Sequence, residues 1–253
     1  MGVLVLVGTL MLVAGQSATG ADDAMARGDA AYARFDNDAA LEHYLQAVET
    51  QPDDASAHWK VARALADVGA AIEEADSDRA RGLYERSVTA ARRAVALAPE
   101  SADTHFILAL AVGRLALFEG PRTRIELSRE VKREADRAIE LDPGHDGAHF
   151  ILGRWHYEIA TLGWFQKAMA KVIYGGVPPG ASVERAADLF ARAIDLDATR
   201  PGYHLEYARA LIKLDRDAEA RQQLNLCIEL PQVYWEDPAY KAEATEMLDD
   251  SLR

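Results

Sequence analysis

The chain of 253 residues contains one cysteine, Cys227, so it can close no intrachain disulfide and cannot by itself hold a zinc ion or an iron–sulfur cluster. Nine prolines and 17 glycines are few beside the turn punctuation an all-β chain needs. Basic side chains are also short: 28 stand against 41 acidic ones, giving a formal charge of −13 and a pI of about 5.0. Such a surface repels polyphosphate, which excludes nucleic acid from the expected partners and supplies no pull toward an anionic membrane. No apolar run reaches the roughly 20 residues of a membrane-spanning helix. Catalytic signatures are missing as well: there is no G-x-x-x-x-G-K-[ST], H-E-x-x-H, G-x-S-x-G or glycine-rich dinucleotide turn. The acidic residues spread along the chain without a pair that spacing alone would single out. A protein with no catalytic residues, metal or cofactor is therefore expected. What the sequence has in quantity is alanine, 48 residues, which favours helix interiors and makes all-α the expected fold class.

The apolar stretch Val3 to Ala14 (VLVLVGTLMLVA) has the length of a secretory hydrophobic region, and Ala18 and Gly20 stand at −3 and −1 for cleavage before Ala21. No Lys or Arg precedes it. The first expectation is a signal peptide over residues 1–20, a repeat domain over 21–253, and a periplasmic or secreted protein. Anchoring to a membrane by residues 3–14, or a cytoplasmic location, are the other readings. No cysteine follows the run to carry a lipid.

Internal periodicity dominates the remainder. Residues 21–54 fit a tetratricopeptide unit of 34 positions, with Gly28 at position 8, Ala40 at 20, Tyr44 at 24, Ala47 at 27 and Pro52 at 32. The register recurs through His58, Val61, Ala62 and Leu65, through His105, Leu108, Ala109 and Val112, through His149, Leu152, Gly153 and His156, and through His204, Tyr207, Ala208 and Leu211. Small residues recur because the two helices of a pair approach closely only where side chains are short. The closing positions Pro52, Pro99, Pro143, Ala198 and Gln232 are 47, 44, 55 and 34 residues apart, so the second, third and fourth units carry extra residues. The excess lies around AIEEADSDRARG, around LALFEGPRTRIELS with a break at Gly120-Pro121, and from Trp164 to Ala181. Asp237-Pro238 predicts an N-cap followed by a closing helix from Ala239 to Leu252. The expected architecture is a tetratricopeptide-like α-α superhelix of five helical pairs and a C-terminal cap helix.

Histidine stands at position 4 of four successive units, at His58, His105, His149 and His204. Equivalent atoms one repeat apart are too distant to share a metal, so the imidazoles are expected to fill space and bond a neighbouring loop. In a right-handed tetratricopeptide superhelix, positions 2, 5, 9, 12 and 13 of the first helix line a concave groove. Here position 5 holds Trp59, Phe106, Phe150 and Leu205, and position 9 holds Arg63, Leu110, Arg154 and Arg209. Tyr157 and Arg114 take positions 12 and 13. Flat apolar platforms interleaved with guanidinium groups suit a ligand with both acidic and apolar parts. The competing reading is local pairing of the arginines with Asp67 or Glu158. Trp164, Phe165, Ala168, Met169, Val172 and Ile173 fall on one face at helical spacing, an amphipathic helix expected to pack over its own fold. The basic residues from Arg122 to Arg137 alternate with carboxylates at i,i+3 and i,i+4, which predicts a solvated, ion-paired helix. Cys227 is expected in the core.

The run from His105 through LALAVGRLALFEGPRTRIE and HFILGRWHYEIA to Pro178-Pro179, and then ELPQVYWED, resembles the regulator of microtubule dynamics family over about residues 24–253. The resemblance implies an all-α tetratricopeptide scaffold without enzymatic activity. It also implies association with microtubules and spindle poles, as in eukaryotic members, or lipid binding at membrane contacts, as in one branch. The leader-like segment and the Ala- and Arg-rich composition fit a bacterial member, and a charge of −13 predicts no direct docking on the acidic tubulin surface. The expected function is a scaffold that binds a peptide or protein partner in the groove, with a lipid-binding or membrane-contact module as the other reading.

Overall fold

The computed structural model describes residues 20–163, 176 and 179–250. The apolar stretch Val3 to Ala14 and the predicted Trp164 to Ile173 helix lie outside the described residues. Among the described residues every regular element is helical. In chain order these are α1 (20–32), α2 (Asn37–Thr50), α3 (Ala55–Ile72), α4 (Ser77–Leu97), α5 (Ala102–Ala116), α6 (Pro121–Leu141), α7 (Asp146–Thr161), α8 (Val183–Leu196), α9 (Pro201–Lys213), α10 (Asp217–Glu229) and α11 (Asp237–Asp250). They follow one another in the expected order of five successive helix pairs and a closing helix, and the extra residues of the second repeat lengthen α3 and α4 to 18 and 21 residues. The chain divides into two compact units, one ending at Leu115 and the other starting at Ala116.

Local chemistry sets the helix starts. Asp36, Asp54, Asp76 and Ser182 cap α2, α3, α4 and α8 by accepting backbone N–H groups of Ala39, Ser56, Arg79 and Arg185. Pro121 and Pro201 open α6 and α9, where the missing N–H costs nothing. The closing helix departs from expectation: it starts at Asp237 itself, whose buried carboxylate accepts from the upstream N–H groups of Val233 (2.8 Å) and Tyr234 (2.7 Å). Asp237 thereby satisfies two donors of the turn that leads into α11.

Within the first unit, α2 buries Ala40, Tyr44 and Ala47, α3 buries Val61, Ala62, Leu65 and Val68, and Ser87 on α4 donates across the seam to the Ala62 carbonyl at 2.7 Å. Within the second unit, Phe190 on α8 lies over α7, and Leu205, Leu211, Leu224, Cys227 and Ala244 join α9, α10 and α11 in one core cluster. Cys227 is fully buried as expected, and burial, with Asp237 nearby, pushes its thiol up to about 11. The basic run on α6 is ion-paired as expected, through Arg122 with Glu126, Lys132 with Asp136, and Arg133 with Glu130 and Glu134. Arg124 has a role that its spacing did not reveal: it donates to the carbonyls of Ala116 (3.0 Å) and Leu117 (2.7 Å), closing the end of α5.

The helices of a pair touch where a glycine faces an aromatic ring. A Cβ added at Gly153 would stand 2.7 Å from Phe190, one at Gly69 would stand 2.9 Å from Tyr84, and Gly28 is tighter still against Tyr44. Gly153→Leu and Ala186→Leu should therefore overpack the α7/α8 seam and cost roughly 1–3 kcal/mol each. Gly82, in α4, has nothing within 4 Å of such a Cβ. Gly82→Ala should stabilise by about 0.5–1 kcal/mol through helix propensity. Thermal and urea midpoints of the three variants check both signs.

Candidate functional site

The four repeated histidines act as staples. Each points its Nε2 at the carbonyl oxygen six residues upstream, in the loop that closes the preceding unit: His58 to Pro52 (2.8 Å), His105 to Pro99 (2.9 Å), His149 to Pro143 (3.0 Å) and His204 to Ala198 (3.1 Å). A carbonyl only accepts, so Nε2 carries the proton in each. This is the loop bond expected from the sequence. Among the described residues no group of three or more His, Cys, Asp or Glu side chains could hold a metal ion.

In the first unit, Trp59 and Arg63 lie on α3 one turn apart and remain partly exposed. The Arg63 guanidinium carbon is 3.7 Å from the Tyr32 ring centroid and 4.7 Å from that of Trp59, so both aromatics serve it. Beside it, Lys60 Nζ bonds both oxygens of Asp29 at 2.6 and 2.7 Å, and the Tyr44 hydroxyl donates to Asp29 at 2.8 Å. Burial would raise the Asp29 carboxyl, but these bonds and the Lys60 and Arg63 charges hold it below the ordinary range. Burial and the Asp29 bond push the Tyr44 phenol well above its usual value. Tyr32, Asp29 and Lys60 were not singled out by the sequence, because the contact joins two helices that no repeat position links. Phe106 and Arg114, on α5, are partly exposed and engaged in contacts of their own.

In the second unit the picture differs. Phe150 stacks obliquely on Tyr203 (4.6 Å) and on Phe190 (5.9 Å). Glu206, only 5% exposed, sits between two guanidiniums: Arg209 Nη1 bonds it at 2.7 Å and Arg154 Nε stands at 3.6 Å. Arg209 also bonds Glu243 on α11. Arg154 and Arg209 thus pair with carboxylates, namely Glu206 and Glu243. Burial lowers the Arg209 guanidinium, and Glu206 and Glu243 more than reverse that, leaving it above its usual value. Tyr157 is partly buried over the same group, and burial pushes its phenol up. One expectation needs correction: Leu205 is no groove platform but fully buried, because α10 and α11 close over that face of α9.

The described residues define a class: a tetratricopeptide-type helical repeat protein whose first helices carry aromatic and arginine side chains. A family model described as Regulator of microtubule dynamics protein 1-3 matches residues 24–252, and the chain belongs to that family. Regulator of microtubule dynamics protein 3 of Rattus norvegicus is 33% identical over 193 residues, 75% of this chain and 40% of the rat protein. Regulator of microtubule dynamics protein 1 of Bos taurus is 28% identical over 202 residues, 78% of this chain and 62% of that protein. The chain spans about two fifths of the length of the rat relative. Among solved structures, a thermophilic TPR protein of Thermus thermophilus superposes with a TM-score of 0.65 at 18% identity, over 89% of this chain and 99% of that one. The Pseudomonas aeruginosa pilF structure does so with a TM-score of 0.51 at 16% identity, over 93% and 87%. At such identities the likeness shows the fold.

The Glu206 group predicts an order of stabilities. Arg154→Ala leaves Glu206 held by Arg209 and should cost less than about 1 kcal/mol. Arg209→Ala removes the short bond to a buried carboxylate and unpairs Glu243, and should cost roughly 1–3 kcal/mol, less than a fully broken buried pair because Arg154 remains. Urea unfolding of the two variants reads the order directly. A second expectation concerns His156 on α7: burial first, then the Lys132 and Arg185 charges, hold its imidazole below the ordinary 6.5, against an opposing pull from Asp136. The unfolded chain therefore takes up this proton at higher pH than the folded chain. Stability should fall as pH drops through 6.5 and level off once the folded value is passed. In His156→Gln that part of the loss should vanish from urea midpoints measured across the range.

Proposed function

We propose that the chain is a non-catalytic scaffold that binds a peptide or protein segment along the first helices of its repeats. The carrying observation is that Trp59 and Arg63, Phe106, Phe150 and Arg154, and Arg209 stay partly exposed at recurrent positions of those helices, although their size and charge would let them be fully covered or fully solvated. Membership in a regulator family and the tetratricopeptide fold support a binding rather than a catalytic role. Pairing of Arg154 and Arg209 with Glu206, and of Arg209 with Glu243, makes the second unit close to neutral at this face, so there the aromatics Phe150 and Tyr157 are the main recognition surface. The same reading puts the protein outside the cytoplasm, from the Val3 to Ala14 stretch and the small residues Ala18 and Gly20.

Native mass spectrometry of the full chain purified from its own host tests both statements. A bound peptide or protein is expected, lost from the Trp59→Ala Phe150→Ala double variant while circular dichroism keeps its helix content. The chain itself should have lost residues 1–20. A co-purified lipid in place of a peptide, or a bound mass indifferent to the double variant, would overturn the scaffold reading. A chain of full mass would overturn cleavage.

A further inference from the structure

A glycine inside a helix weakens it, and packing is the usual compensation. Gly28, Gly69, Gly153 and Gly202 each stand against an aromatic ring that a Cβ would strike. Gly82 does not. It lies inside α4, partly exposed, and nothing stands within 4 Å of the place its Cβ would take. Its own chain makes no use of the space, and its bare backbone is open to a close approach from outside.

The residues around Gly82 say what would approach. α4 carries Arg79, Arg81, Arg86, Arg92 and Arg93 against Asp78 and Glu85, a positive helix in a chain of formal charge −13. Arg79, Arg86 and Arg93 follow at seven-residue intervals, so they line one flank of the helix about 10.5 Å apart along its axis. Gly82 fills the gap between the first two and Thr89 the gap between the last two, and the Thr89 hydroxyl turns back to donate to the Glu85 carbonyl at 3.0 Å. The strip between the guanidiniums is therefore low. Asp78 and Glu85 lie about 100° round the helix from it, and Glu85 faces Arg81 at 3.4 Å. Arg79 and Arg86 are exposed, and among the described residues their side chains make no hydrogen bond or ion pair. Arg93 bonds Asp53 in the loop before α3, but both are exposed, and such a pair exchanges at little cost.

Guanidinium forks match carboxylates, and a row of them one heptad apart matches carboxylates at the same interval on a helix laid alongside. An anionic membrane or a polynucleotide is disfavoured, because its extended charge would meet the field of the whole acidic chain, whereas one helix meets the flank alone. We propose that the Arg79–Arg86–Arg93 flank of α4 is a docking surface for an acidic helical segment of a protein partner, whose carboxylates recur every seven residues and whose backbone comes close at Gly82. The surface is on a second helix of the repeat, apart from the first-helix residues of the scaffold reading, and does not rest on it.

The test uses the full chain and two synthetic helical peptides of equal composition and net charge. One carries glutamates at seven-residue intervals, and the other has the same glutamates spread around the helix. In isothermal titration calorimetry at about 0.1 M salt, the first should bind about tenfold or more tightly than the second. The Arg79→Gln Arg86→Gln double variant should lose that preference, while Arg129→Gln Arg192→Gln, at exposed arginines of α6 and α8, should keep it. Gly82→Gln changes no charge and should also weaken the first peptide about tenfold, whereas the short side chain of Gly82→Ala should be tolerated. Circular dichroism checks the helix content of each variant, and if one fails to fold, the two peptides compared on the unaltered chain decide. Equal binding of the peptides, indifference to Gly82→Gln, or a stronger response to phosphatidylserine vesicles or to an oligonucleotide would overturn the docking surface. Such a failure with the host-derived peptide still bound in native mass spectrometry would leave the scaffold reading standing.

Discussion

Everything in this fold depends on a backbone meeting a ring. Gly28 against Tyr44, Gly69 against Tyr84, Gly153 against Phe190 and Gly202 against Tyr240 are four places where a helix leaves no room for a Cβ so that an aromatic from another helix can lie against its backbone. Each contact fixes how near two helices come, and interior packing is dense enough that a single methyl group is felt. Because the ring is on one helix and the gap on the other, the contact also fixes register. The partly exposed residues at the fifth and ninth positions then have their directions set by the same register, which ties recognition to packing.

A second device governs how one pair leads to the next. The histidine staple bonds the loop six residues upstream, so the chain entering α3, α5, α7 and α9 is tied to the helix it starts. An imidazole suits the place because it offers a flat apolar body and one donor at its tip. The recurring loop carbonyl thereby gains a protein partner. His204 adds a second contact, its Nδ1 lying 2.7 Å from the Gln223 side-chain amide, which couples α9 to α10.

Electrostatics separate the two units. With a formal charge of −13, carboxylates are plentiful and most cations find one nearby, as the ion pairs of α6 and the Glu206 group show. Lys60 follows the rule by taking Asp29. Arg63 lies against the faces of Tyr32 and Trp59.

The sequence by itself determined the all-α class, the five pairs and closing helix, the lengthened second unit, the histidine–loop bond and the buried Cys227. All of these follow from short-range rules: helix propensity, caps, and the spacing of small residues seen repeat by repeat. It also named Arg63, Arg154 and Arg209 as equivalent positions, and Trp59, Phe106, Phe150 and Leu205 as another equivalent series, since periodicity treats like positions alike. Tertiary structure decided that they are not alike. Whether an arginine meets Glu206, Glu243 or the face of Tyr32, and whether position five is an exposed Trp59 or a buried Leu205, depends on side chains contributed by helices far apart in the chain. Charges and rings interact over a few ångströms of space regardless of sequence distance, and a repeat register carries no information about which neighbour arrives there.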